Sequence, residues 1–535
     1  MELLTGKTLL IGSGACARHI ADEILAREPG LIVASTGNGF GVRTNSKPVD
    51  KAGQRDHVYS HTKVQSCQGA VGDFRVILDC SGQRRIAAVE QVIIAEDEQR
   101  LPCFSDYGLS PSEHIVALSQ LEDQLDENST QDYLSAAIKT VVFLVGLVSE
   151  SNPYAFERVM QSCLRLQALR RHKIYVLTEN LKVAANGLEK LYRETRDAGV
   201  IYIKFTRTRP DITQVADGRV TLEFTDEVTG DQLILPADLT IVDEKLMPTD
   251  YTVDLVRIFE IENDLNGFAQ DENVHRLPVL TNRKGILVAG STRSVLSPSE
   301  QLTDADNAVL SVRELERQSA DPVTSRAQIE NGKCVRCLTC YRLCPYRAVQ
   351  VNTRVSVAPA ACEGCGICLA ECPRGAISFA EEDTQPGGVV PAAGGILPGK
   401  STFTPLITAF CCSRSAARAA ELSVCLGISL PRGLQMVEVP CGGSVSMSQI
   451  LAVLNAGADG VIMLTCHEGN CHSTRGAGLV QQRVDQISAL FESIGLQSRR
   501  LVKKSLASNM GAEFAKYLTD FEKQLLEMGP HKLKS

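Results

Sequence analysis

Cys334-Val335-Arg336-Cys337-Leu338-Thr339-Cys340-Tyr341-Arg342-Leu343-Cys344-Pro345 and Cys362-Glu363-Gly364-Cys365-Gly366-Ile367-Cys368-Leu369-Ala370-Glu371-Cys372-Pro373 repeat one pattern, C-x-x-C-x-x-C-x-x-x-C-P. Three cysteines at this step can wrap one face of an iron–sulfur cubane, and the proline sends the fourth away toward a second cluster. The spacing predicts two [4Fe–4S] clusters that exchange a ligand: Cys334, Cys337 and Cys340 with Cys372, and Cys362, Cys365 and Cys368 with Cys344. Structural zinc also takes Cys-x-x-Cys pairs. Four thiolates fill a zinc site, however, and leave no use for a third cysteine at the same step followed by Cys-Pro. Lys333, Arg336, Arg342 and Arg347 flank the ligands, either as a solvated basic face or to raise the potentials and dock an acidic partner.

Outward from this stretch, residues 323–382 read as a bacterial-type 2[4Fe–4S] ferredoxin insert between two α/β regions. Its thiolate-held clusters suit one-electron transfer. The chain has 535 residues, 44% hydrophobic and 22% charged, enough for two to four globular domains. A net charge of -8 and the lack of a basic stripe exclude a general nucleic-acid binder. Nineteen cysteines in a chain this long, with Cys-x-x-Cys spacing, favour metal over a disulfide framework. Residues Met1–Gly14 lack the layout of a secretory signal, and no apolar run reaches the roughly 20 residues of a membrane span. A cytoplasmic location follows, with any membrane association through partner subunits. Residues 383–402 are Pro- and Gly-rich, a linker whose flexible coil would span roughly 25 Å.

Residues 403–530 alternate strand and helix: Leu406 to Phe410, Met436 to Val439, Gly460 to Thr465, then a long helix to about Ser493. This is a small parallel α/β domain. Cys411, Cys412, Cys441, Cys466 and Cys471 all stand just after strands, and ligands of open parallel sheets gather at those ends. The thiols should therefore meet as a [2Fe–2S] site rather than serve as isolated small hydrophobes. Phe410-Cys411-Cys412, Val439-Pro440-Cys441-Gly442-Gly443 and Cys466-His467-Glu468-Gly469-Asn470-Cys471-His472 resemble the delta subunit of methyl-viologen-reducing hydrogenase. That resemblance implies a [2Fe–2S] cluster on Cys412, Cys441, Cys466 and Cys471, linking a hydrogenase or formate dehydrogenase to heterodisulfide reductase. Ser415 stands where the family often has a further cysteine, which leaves Cys411 as an alternative first ligand. His467 and His472 are expected to shape or hydrogen-bond the site rather than ligate.

Residues 1–322 alternate apolar strands (Thr8 to Ile11, Leu31 to Ser35, Val141 to Val145, Ile174 to Leu177, Ile286 to Ala289) with helices, a Rossmann-like α/β pattern. Gly12-Ser13-Gly14-Ala15-Cys16-Ala17 is a G-x-G-x-x-A turn between strand and helix, suited to a pyrophosphate. The acidic residue expected on the ribose after the next strand is missing. Val71-Gly72-Asp73-Phe74, Asn186-Gly187-Leu188-Glu189 and Gly285-Ile286-Leu287-Val288-Ala289-Gly290 resemble the flavoprotein (A) component of heterodisulfide reductase. The resemblance implies an FAD fold, with Gly12, Gly14, Ala17 and Gly290 as cofactor-binding positions. Three departures stand against it: Ala95-Glu96-Asp97 replaces Ala-Thr-Gly, Gly290-Ser291 replaces Gly-Asp, and of the additional cluster's cysteines only Cys163 remains.

The whole resembles fused subunits of heterodisulfide-reductase-like complexes, such as the B subunit of the quinone-interacting membrane-bound oxidoreductase. The expectation is an oxidoreductase electron-transfer subunit relaying electrons between the [2Fe–2S] centre, the two [4Fe–4S] clusters and FAD in this chain or a partner. No catalytic constellation is present, so substrate conversion belongs elsewhere: a flavoprotein, a hydrogenase or formate dehydrogenase, or a membrane quinone module. A flavin-free iron–sulfur scaffold and a stand-alone FAD-dependent oxidoreductase are the alternatives.

Overall fold

The computed structural model describes residues 2–27, 30–37, 57–126, 138–169, 172–227, 229–269, 273, 276–318, 326–379 and 403–530. The expected linker at 383–402 lies outside the described residues. Residues 1–318 contain two parallel sheets, the second inserted into the first. In the first, the strands Ile286–Val288, Gln91–Ile94, Thr8–Ile11, Leu31–Ala34 and His57–Tyr59 lie side by side in that order. Apart from the edge strand His57–Tyr59 they are buried on both faces and read as largely apolar runs. Alternate side chains serve different layers. Leu10, Val33, Ile93 and Leu287 meet Ala17, Ile20, Ala305 and Val309 of the helices Ala15–Leu25 and Pro298–Gln318. On the other side, Leu9, Ile11, Val92 and Val288 meet Phe74, Val76 and Leu78 of a mostly antiparallel four-stranded sheet.

The second parallel sheet runs Ile115–Ala117, Leu239–Val242, Thr140–Val145, Lys173–Thr178, Ile201–Lys204. Helices Leu118–Asp126, Pro153–Leu169 and Leu188–Asp197 cover one face, and an antiparallel three-stranded sheet covers the other. An antiparallel ribbon joins the two units, Glu98–Pro102 against Glu244–Pro248. Beneath it, buried Arg158 holds Glu244 at 2.8 Å and Glu122 at 2.6 Å.

The cysteine-rich insert has approximate two-fold symmetry, with Val349–Val351 paired to Val355–Val357 and Ala327–Ile329 paired to Ile377–Phe379. The short helices Thr339–Leu343 and Ile367–Ala370 carry the third cysteine of each repeat. In the C-terminal region four parallel strands lie in the order Leu434–Val439, Ile407–Cys412, Gly460–Thr465, Leu501–Ser505. Helices Met447–Asn455 and Gly476–Ser493 pack on one face, and Ala416–Cys425 and Gly511–Met528 on the other. The fourth strand and the last helix go beyond the sequence expectation, because Leu501-Val502-Lys503-Lys504-Ser505 is short and charged. The first strand also runs two residues further than expected, through both cysteines.

Candidate metal centres

Each repeat places three thiols on a loop that turns into a one-turn helix. Leu338 enters the first helix with φ 61° and Gly366 enters the second with φ 75°. The left-handed turn suits glycine and strains leucine. The fourth thiol of each repeat lies with the first three of the other. Cys334, Cys337, Cys340 and Cys372 line one small cavity together with Arg336 and Arg374. Cys344 lies with Cys362, Cys365 and Cys368, all close enough to act on one another's ionisation. The two halves share a contact: the Ala348 N–H donates to Cys344 Sγ, and the Ala376 N–H donates to Cys372 Sγ, both at 3.3 Å.

Burial pushes Cys365 and Cys368 far up, the latter to about 12, and the neighbouring thiols add to it. A half-buried ring of thiols with N–H donors aimed at sulfur fits a cationic group that would hold them as thiolates. Among the described residues no three His, Cys, Asp or Glu side chains converge on a single ion position. Cys334, Cys337, Cys340 and Cys372 ring a small cavity instead.

In the C-terminal sheet the strand geometry separates the two adjacent cysteines. Side chains alternate along a strand, so Cys411 enters the apolar layer with Ala416, Leu464 and Phe514. Cys412 turns the other way and clusters with Cys466, Cys471 and Ala477; its sulfur is 3.7 Å from that of Cys466. Cys441 reaches the same place over the start of helix Gly476–Ser493. A Cβ on Gly476 would fall 2.3 Å from Cys441 Sγ and 3.5 Å from Cys471 Sγ. Contact with Cys466, then burial, pushes the Cys412 thiol far up, and contact with Cys441 raises that of Cys471. The buried Ser415 hydroxyl faces Cys412 and Cys466. His467 is exposed.

His472 makes a hydrogen bond beside this site. The Tyr346 hydroxyl lies 3.0 Å from His472 Nδ1 and 3.1 Å from Ser473 Oγ. Cys344-Pro345-Tyr346 and His472-Cys471 thus connect the two thiol groups directly, and Cys344 and Cys471 line one polar cleft. Further contacts fix the junction. Buried Arg483 donates to Glu371 at 3.0 Å and to the carbonyls of Gly443 and Val445, and a Cβ on Gly366 would fall 2.7 Å from that of Ser444. Asn282 donates to the Pro345 carbonyl from the N-terminal side. No signal in the sequence points to Tyr346 or Arg483, whose partners are distant in the chain.

Among the flanking cations, Arg347 pairs with Glu260 at 3.6 Å across the same junction, and Lys333 pairs locally with Glu330. Arg336 donates to the Asn352 carbonyl and Arg342 to that of Cys337.

At the N-terminal turn, Gly12, Gly14, Ala17 and Gly290 do come together at the carboxyl ends of Thr8–Ile11 and Ile286–Val288. Their neighbours account for the glycines. A Cβ on Gly12 would fall 2.1 Å from the Ala95 carbonyl oxygen, and one on Gly14 would fall 1.9 Å from Asp97 Oδ1. Cys163 is buried in the apolar core of the second sheet.

Residues 407–529 match the family model for the delta subunit of methyl-viologen-reducing hydrogenase. This region is 31% identical over 130 residues to the iron-sulfur "D" component of the F(420)-non-reducing hydrogenase of Archaeoglobus profundus, covering 24% of this chain and 95% of that protein. The chain belongs to this family through its C-terminal region. The preceding part is 24% identical over 359 residues to the "A" component of the ferredoxin:CoB-CoM heterodisulfide reductase of Methanosarcina mazei, across 66% of this chain and 44% of that protein. The chain thus spans less than half the length of that relative. The thioredoxin reductase of T. acidophilum superposes with TM-score 0.39 at 14% identity, over 59% of this chain and 99% of that one. Among the described residues no helix is long and apolar enough to cross a membrane.

Proposed function

We propose that this chain is an electron-relay subunit of a heterodisulfide-reductase-like complex, with two [4Fe–4S] clusters and one [2Fe–2S] cluster held by the three thiol groups. The observation that carries the reading is the covalent and hydrogen-bonded run Cys344-Pro345-Tyr346, His472-Cys471, which joins two of those groups through one half-buried contact. When bound, the clusters would supply one-electron transfer at potentials set by hydrogen bonds, charge and exposure.

The residues of this chain divide the remaining work. Cys334, Cys337, Cys340 and Cys372 form one ligand set, Cys344, Cys362, Cys365 and Cys368 the second, and Cys412, Cys441, Cys466 and Cys471 the third. Tyr346, Arg483 and Asn282 hold the second set at the meeting point of all three regions. The first set lies outermost: Cys337 is exposed, and Val335 beside it is 60% exposed. The first set is therefore the end of the relay open to a partner protein, and the third set's position beside the second puts the second in the middle. The resemblance of the N-terminal part to a heterodisulfide reductase component, and of the C-terminal part to a hydrogenase component, supports work within a multi-subunit assembly of that kind.

Purification without oxygen, followed by counting iron and acid-labile sulfide, tests the reading. About ten irons per chain are expected from the three sets. Eight or fewer would remove the C-terminal cluster from the proposal.

A further inference from the structure

The two parallel sheets close the turn after their glycine-bearing strand in the same way. In each, the strand beside the glycine-bearing strand ends in a pair of acids: Gln91–Ile94 leads to Glu96-Asp97, and Leu239–Val242 leads to Asp243-Glu244. In the first sheet the Ala95 N–H donates to the Ile11 carbonyl at 2.7 Å, which draws this segment across the Gly12 turn. The Asp97 carboxylate then lies against the Cα of Gly14, where backbone would have to face a diphosphate. In the second sheet the strand Thr140–Val145 ends at Gly146, whose φ is 64°. Its N–H donates to Asp243 Oδ2 at 2.7 Å, and the Tyr107 hydroxyl donates to the other oxygen at 3.0 Å. The amide at the carboxyl end of this central strand, where ligands of open parallel sheets gather, is already satisfied by a buried carboxylate.

We infer that Asp97 and Asp243 are built-in substitutes for phosphate that close both sheets to FAD and to nicotinamide dinucleotides, so that the two-electron carrier of the complex is held by a partner subunit. Anionic oxygens occupy the positions a diphosphate needs, and like charges at that spacing repel strongly in a partly buried site. The glycines persist because Ala95 and Asp97 leave no room for a Cβ. The ribose-binding acid is also missing after Leu31–Ala34, so no ribose contact offsets the repulsion. The inference stands on sheet geometry and is independent of the cluster assignment.

The test uses the full chain purified without oxygen, with its iron content recorded alongside. After incubation with excess FAD and gel filtration, the wild-type chain is expected to retain almost no flavin, and NADH and NADPH are expected to give no saturable binding. One FAD retained per chain would overturn the inference, whatever the iron count. Asp97→Gly should then bind FAD at least about tenfold more tightly than wild type in a fluorescence titration, and Asp243→Asn should do the same for a nicotinamide dinucleotide. Asp97→Asn keeps the shape and removes the charge, and it replaces Asp97→Gly in the comparison if that variant loses its iron. Equal affinity in wild type and a folded Asp97 variant would show that this carboxylate is not the closure and would overturn the assignment.

Discussion

Cys411 and Cys412 are neighbours with opposite duties, since one faces an apolar layer and the other a ring of thiols. Cys411→Ser is expected to leave the iron count unchanged, while Cys412→Ser should lower it by about two per chain and abolish the [2Fe–2S] signal in electron paramagnetic resonance. Glu96 offers a second test at this scale. Burial pushes its carboxyl from 4.5 to about 7, the nearby Asp97 charge acting in the same direction, and its Oε1 is buried with no hydrogen-bond partner. A carboxyl raised in the folded state favours the fold while protonated. Its contribution is fully present below about pH 4.5 and is lost as pH rises to about 7, on the order of 3 kcal/mol. Glu96→Gln should therefore raise the melting temperature at pH 8 and lose that advantage near pH 4.5. The eight cysteines of the insert stand out in the sequence because their spacing is local, whereas the C-terminal thiols are expected only from their place after strands and from the family resemblance. The choice between Cys411 and Cys412 stays open in a reading that ends the strand at Phe410; carried through to Cys412, the two-residue period separates them.

Helix Gly476–Ser493 begins against two of the sulfurs it serves, with no space for a side chain at its first residue. Gly476→Ala should displace Cys441 and lose the [2Fe–2S] cluster while keeping the helix, which circular dichroism and iron analysis together would show. Failure to lose iron would place Cys441 outside the ligand set. The strand Leu501–Ser505 and helix Gly511–Met528 complete the layer that holds Ile462, Leu464 and Phe514. Neither is anticipated from the sequence, because a short edge strand with two lysines has little apolar signal of its own and is defined by the sheet it joins. The same limit applies at the amino end: five strands stand out there by their apolar runs, yet nothing in those runs says that they belong to two different sheets.

The three regions are held together by a few buried polar contacts, of which Arg483 is the most central, at 4% exposure. Removing it leaves Glu371 and two carbonyls without their donor, at a cost of about 3–5 kcal/mol. Arg483→Met is expected to free the C-terminal region from the insert, seen as new cleavage by a protease near residues 440–480 and slower reduction of the outer cluster by a donor acting at the C-terminal one. Tyr346→Phe keeps the ring and removes only the hydroxyl, so it should cost about 1 kcal/mol in stability, with the same slowing if the Tyr346–His472 contact carries the coupling. Inter-region contacts of this kind are invisible to any reading of spacing. The ribbon between the two sheets has a different consequence. Pro102 and Glu244 face each other in register, so the chain leaves the first unit and returns to it at adjacent points. A tight turn joining those two positions would excise about 140 residues as a cassette, which makes the second sheet a modular passenger, removable without touching the thiol groups of the insert and the C-terminal region.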